Sequence, residues 1–235
     1  MAPQRSGLSH GTTTGQMQEV RKLAALPAEL TLKQLSAGGV SEKRDDWTAE
    51  ARTHARAVLE QMRPESIVYV ADLESRADLA DEIREVRALF DLIDMNLMLF
   101  GISPLAVPTA KFDFSVGSVD RILEAAGADA LLVVGGTDEI FTTDRKVLSV
   151  ITLVASTALT GQPMMPSAGE GHISAGLIAR DGTILWWNFV GGTEIGDLRK
   201  PEGVAATIKR LLGSMPTAAA PATDAATLAG DGAGT

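Results

Sequence analysis

The segment "GHISAGLIARDGTILWWNFVGG", residues 171–192, constrains the fold of this chain more than any other. Two runs rich in β-branched and aromatic residues flank Asp181-Gly182, a pair suited to tight hairpin turns. The pattern predicts a hairpin in which His172–Arg180 pairs with Thr183–Val190 through that turn. Neighbouring side chains on a strand point to opposite faces. Trp186 and Trp187 therefore cannot form a single ligand platform. One ring is expected under a helix, and the other on the opposite face or at an interface.

Helices and further strands can be placed around the hairpin. "EVRKLAALPAELTLKQL" reads as a strand, then an extended segment after Pro27, and "SAGGVSEKRDD" as a loop. "DDWTAEARTHARAVLEQMR" is a helix capped by Asp46. Trp47, Ala51, Ala55, Val58, Leu59 and Met62 form its buried stripe, with Trp47 a structural anchor and His54 facing solvent. "SIVYVAD", 66–72, is a short strand. In the longest helix, Leu79, Ile83, Val86, Phe90, Ile93 and Leu97 step by three or four residues, as a core stripe does. Its Met95, Met98 and Phe100 end is apolar on more sides, which suits burial or a homodimer contact.

"ISPLAVPTAKFDFSVG" is a loop, and "SVDRILEAAG" a short helix with Ser118 as cap and Gly127 as stop. The strand at 128–136 carries Leu131–Val134 without alternation, so both its faces are covered. "GGTDEIFTTDR" reads as a loop, with "GGTDE" a turn at a sheet edge. The apolar run 147–159 favours helix over strand, and "TGQPMMPSAGE" is a loop. "KPEGVAATIKRLLGSMP" is the last helix, with Val204, Ile208, Leu211 and Leu212 inward. The expected class is α/β (α+β): a mixed or antiparallel sheet with a C-terminal hairpin and helices packed on it. One domain spans 19–215, with 1–18 and the Ala/Gly/Pro/Thr-rich 216–235 too poor in large apolar residues to order.

Composition excludes several function classes. A net charge of -9 argues against nucleic-acid binding and against docking on an anionic membrane surface. With no cysteine there are no disulfides, thiolate nucleophiles or thiolate zinc sites. The run 147–159 is too short and too polar to span a bilayer. "MAPQRSGLSHGTTTGQ" contains no apolar signal core, so the chain is cytoplasmic or a mature form whose leader has been removed.

Catalytic patterns are weak. "GHISAG" approaches a nucleophile elbow, but His172 stands where that pattern needs glycine. Ser174 and His172 share one strand face without an identifiable acid, which favours a plain hydrogen bond. His10, His54 and His172 lack metal-ligand spacing, and "GGTDE" is no phosphate loop, so neither metal nor cofactor is expected. "GDLRK" is the most pointed polar cluster. There Asp197 and Arg199 suit a structural clamp or, with Asp138, a partner or ligand contact; Asp113 and Asp144 are further candidates for that edge.

"RDDWTAEAR", "FDFSVG", "GADALLV", "DGTILWWN" and "GDLR", in this order, resemble an uncharacterised group of proteobacterial envelope proteins usually described only as lipoproteins. The strand after the Asp-Gly turn is also similar to that of small periplasmic α/β lipoproteins, among them curli-secretion proteins and activators of penicillin-binding proteins. The resemblance implies a periplasmic or outer-membrane-associated module that binds envelope proteins without chemistry of its own. The competing expectation is a cytoplasmic small-molecule-binding domain or enzyme, with a deep pocket and perturbed carboxylates near Asp138, Asp197 and Arg199.

Overall fold

The structure, a computed structural model, describes residues 8–9, 20–36, 38–62, 67–69, 77–98, 113–142, 157–159, 161 and 171–215. The strands are β1 (Leu8–Ser9), β2 (Leu23–Ala25), β3 (Glu29–Leu35), β4 (Ser41–Lys43), β5 (Ile67–Tyr69), β6 (Ala130–Phe141), β7 (His172–Ala179) and β8 (Ile184–Gly191). The helices are α1 (Asp45–Gln61), α2 (Ala80–Asn96), α3 (Asp120–Ala126) and α4 (Pro201–Leu212). All eight strands among the described residues join one mixed sheet in the order β1-β8-β7-β6-β2-β5, with β3 also on β6 and β4 on β3. The fold is α/β, as the periodicities predict.

The long strand β6 organises the sheet. One edge pairs antiparallel with β7; the other takes β2 and then β3, both parallel. Ala25 lies opposite Leu132 and Glu29 opposite Gly135, so Leu26–Ala28 face only Val133 and Val134. This bulge holds Pro27, which has no N–H to give a ladder. The carbonyl of Pro27 instead accepts from Arg87 Nη2 of α2 at 2.8 Å.

Helices cover both sheet faces. Leu132 and Val134 point to a core with α1 and α4, Leu131 and Val133 to a second core with α2 and α3. Trp186 enters the first and Trp187 the second, at 1% and 2% exposure. As the strand alternation predicts, the two rings point to opposite faces. Truncating either to alanine is expected to cost about 3–5 kcal/mol.

Several local expectations need correction. "GGTDE" is no loop: it continues β6, paired with β3 throughout and with β7 as far as Thr137, which lies beside His172. Non-local pairing, on both sides up to Thr137 and with β3 beyond it, overrides its turn-like composition. Ser41–Lys43 is a strand on β3, not loop. Helix α1 begins at Asp45, and Asp46 pairs in its first turn with Arg44 rather than capping it. Helix α3 begins after Val119, although Ser118 Oγ still accepts the Asp120 amide at 3.3 Å. His54 is half-buried. The hairpin turn closes earlier than predicted: the carbonyl of Ala179 accepts from the amide of Gly182, a left-handed residue (φ 87°). The register slips between Leu177 and Ile178.

Leu8–Ser9 pairs with Trp186–Trp187 inside the stretch expected to be unordered. Of 147–159, residues 157–159 are helical and the rest lie outside the described residues. Phe100, Asp144, most of "TGQPMMPSAGE" and the stretch 216–235 also lie outside them. Among the described residues no helix is long and apolar enough to cross a membrane.

Candidate functional site

Polar constellations gather on both faces at the carboxyl end of β6, the end of parallel strands where open α/β sheets commonly bind ligands. On the α1/α4 face stand the three residues singled out in the sequence. After β8 the chain makes a 3-10 turn, Gly192–Glu194. Gly196 then donates to Thr207 Oγ1 at 2.9 Å, and Thr207 Oγ1 donates to the carbonyl of Gly203 at 2.9 Å. A side chain at Gly203 would strike the Asp197 carbonyl, so this close passage needs glycine. The result fixes Asp197 and Arg199 just before α4.

Arg199 Nε and Nη2 donate to Asp197 Oδ1 and Oδ2 at 2.8 and 2.9 Å, a bidentate pair. The Arg199 guanidinium holds the Asp197 carboxyl below the usual range. Asp138 is within electrostatic reach of both. Burial, with Asp197 adding repulsion, pushes its carboxyl up to about 6, against hydrogen bonding at the Glu139 amide. Asp138, Asp197 and Arg199 therefore converge. Asp113 does not: it precedes the Phe114–Val116 segment that pairs near the hairpin turn, at the other end of β8.

Trp47 belongs to the same cluster. The Arg199 guanidinium lies over its ring, 5.0 Å from the centroid, and that of Arg44 lies 4.1 Å away. Arg44 is itself held by Asp46 at 3.0 and 2.6 Å and by Gln34 at 2.6 Å. Trp47 packs against the first core yet stays partly exposed. Arg44 lies only three residues from Trp47 in sequence, whereas Arg199 comes from a distant segment and was not foreseen.

On the α2 face, His172 Nε2 lies 3.3 Å from Asp94 Oδ2, and Trp187 Nε1 donates to Asp94 Oδ1 at 2.8 Å. Hydrogen bonding to Asp94, then the charges of Asp94 and Asp91, raise the His172 imidazole above its ordinary value against the opposing effect of burial. Asp94 is 5% exposed and is the acid that sequence inspection had not located. One signal was available: it follows Phe90 by four residues, so a carboxylate sits on the buried stripe of α2. Ser174 is buried on this same face, and His172 is paired with Asp94.

Leu92 and Met95, on the outer side of α2, are 57% and 54% exposed, and Met98 is half-buried. Three open clefts, of about 620, 400 and 290 Å³, are lined by residues other than Asp138, Asp197 and Arg199.

No family model and no curated protein matches the chain. Solved structures give weak likenesses. The PelC dodecamer from Paraburkholderia phytofirmans is similar at 11% identity and TM-score 0.35, over 90% of this chain and 95% of that one. A variant PelC dodecamer from the same organism is similar at 11% identity and TM-score 0.32, over 89% and 93%. The LpoB C-terminal domain from Salmonella enterica is similar at 11% identity and TM-score 0.27, over 77% of this chain and 97% of that one. Identities this low assign no family to the chain.

Proposed function

We propose that this chain is a non-enzymatic binding or assembly module of the bacterial cell envelope, working by protein–protein contact through Trp47, Arg44, Arg199 and Asp197. One observation carries the reading: Trp47 is partly exposed beneath two guanidinium groups, each locked to a carboxylate. Tryptophan and arginine dominate binding hot spots, and a pre-ordered cluster has less side-chain freedom to lose on association. Trp186 and Trp187 show the contrast, since both are sealed in the core. The envelope location rests on the motif order described above. The exposed Leu92 and Met95 suit a homodimer contact, which gel filtration tests.

The test is site-specific photo-crosslinking in cells of the native host, followed by fractionation. A crosslinker at exposed Glu50, next to Trp47, is compared with one at exposed Glu124 on α3. A discrete adduct in the envelope fraction from Glu50 alone, lost in Trp47→Ala, supports the reading. Adducts from neither site, or equally from both, overturn it.

The Asp138 carboxyl favours a second reading, a small-molecule site beside Asp197 and Arg199. Thermal-shift screening tests it: a stabilising compound whose effect disappears in Asp138→Asn and Asp197→Asn supports it, and an effect retained in both refutes it.

A further inference from the structure

We infer that the cleft at the β2–β3 break binds a small soluble phosphate-type anion through Arg52 and Arg87. The cleft, of about 290 Å³, is lined by Glu29, Arg52, Thr53, Arg56 and Arg87 beside Pro27 and Ala28. Here the bulge interrupts the parallel edge of β6, with β5 paired to β2 on one side of the gap and β4 paired to β3 on the other. Helices on opposite sheet faces supply the cations: Arg52 and Arg56 come from α1, Arg87 from α2.

Both key guanidinium groups are held by the main chain. Arg52 Nε donates to the Leu30 carbonyl at 2.9 Å, and Arg87 Nη2 to the Pro27 carbonyl at 2.8 Å. Each thus has one edge fixed, which lowers the ordering cost of binding.

The arginines of the cleft differ in their acidic partners, and Arg87 also interacts with the charge of Asp91. Arg56 pairs with Glu60 at 2.8 Å, and Arg87 faces Glu29 at 3.6 Å. Arg52 makes no ion pair among the described residues, and its terminal nitrogens suit a two-point contact with a phosphate oxygen pair. The Thr53 hydroxyl donates to the Ala49 carbonyl, so its proton is committed and the arginines carry recognition. A cleft of about 290 Å³ suits a small free phosphate or phosphate monoester.

The test titrates inorganic phosphate into the ¹⁵N-labelled full chain at constant ionic strength, following arginine Nε–Hε and backbone amide signals. Saturable shifts centred on Arg52, Arg87 and residues 28–30 are expected. Arg52→Gln is expected to weaken binding about tenfold, the loss of a hydrogen bond to a charged group. Arg52→Lys should fall between, and Arg121→Gln on α3 should match the parent. Arg52 is exposed and gives up a single main-chain contact, so Arg52→Gln carries the test even where Arg87→Gln perturbs the break. Shifts without saturation, or equal affinity in Arg52→Gln and the parent, overturn the proposal.

Discussion

The indole N–H of Trp187 donates to Asp94 across 93 residues of chain, joining strand β8 to helix α2 inside the second core. The other oxygen of the same carboxylate faces His172 on β7. One buried acid thus ties two strands to one helix.

Removing that acid leaves a buried indole donor unsatisfied. Asp94→Ala is expected to lower stability by about 1–3 kcal/mol, the usual range for an orphaned buried donor. Asp94→Asn keeps an acceptor and should lose less. Urea midpoints of the two variants settle the order, and equal losses contradict it.

The His172–Asp94 pair gives stability a pH dependence of defined sign. Folding raises the imidazole above its ordinary 6.5, chiefly through Asp94 and then Asp91. The contribution is therefore fully present below that ordinary value and lost as pH rises through the folded one. The stability gap between the parent and His172→Gln should be wider near about pH 6 than near about pH 9. Denaturation curves at both values test this, and a gap that widens with pH contradicts it.

Asp138 behaves in the opposite sense to a paired carboxylate. Its folded value of about 6 lies above the ordinary 3.8, so ionising it costs stability as pH rises through that interval. Asp138→Asn removes the cost. The expected gain above the folded value is of order 1 kcal/mol, after allowance for partial solvent access. Thermal melts either side of the interval should show the gain only on the alkaline side.

Gly176 lies under the Phe90 ring, where a Cβ would run into the ring edge. Gly176→Ala is expected to cost about 1–3 kcal/mol through overpacking. Adding Phe90→Leu should recover part of the loss, a coupling that a double-mutant cycle measures.

Local signals made much of the fold legible. Helices α1, α2 and α4 follow from period-3.6 stripes, and the hairpin from alternation around Asp181-Gly182. The same alternation was enough to send Trp186 and Trp187 to different cores. Of the candidate site, Asp197 and Arg199 were visible because two residues of separation let them pair locally.

What the chain alone determined is what depends on near neighbours: periodicity, turns, and the opposite facing of adjacent strand residues. Tertiary structure decided the rest. "GGTDE" became strand because β3, and as far as Thr137 also β7, pair with it from far away in sequence. Asp94 is tolerated on a buried stripe because Trp187 and His172 satisfy it there. Arg44 and Arg199 meet over Trp47 only once α1 and the loop before α4 are packed. Such contacts arise from where the elements dock, and no local pattern encodes their partners.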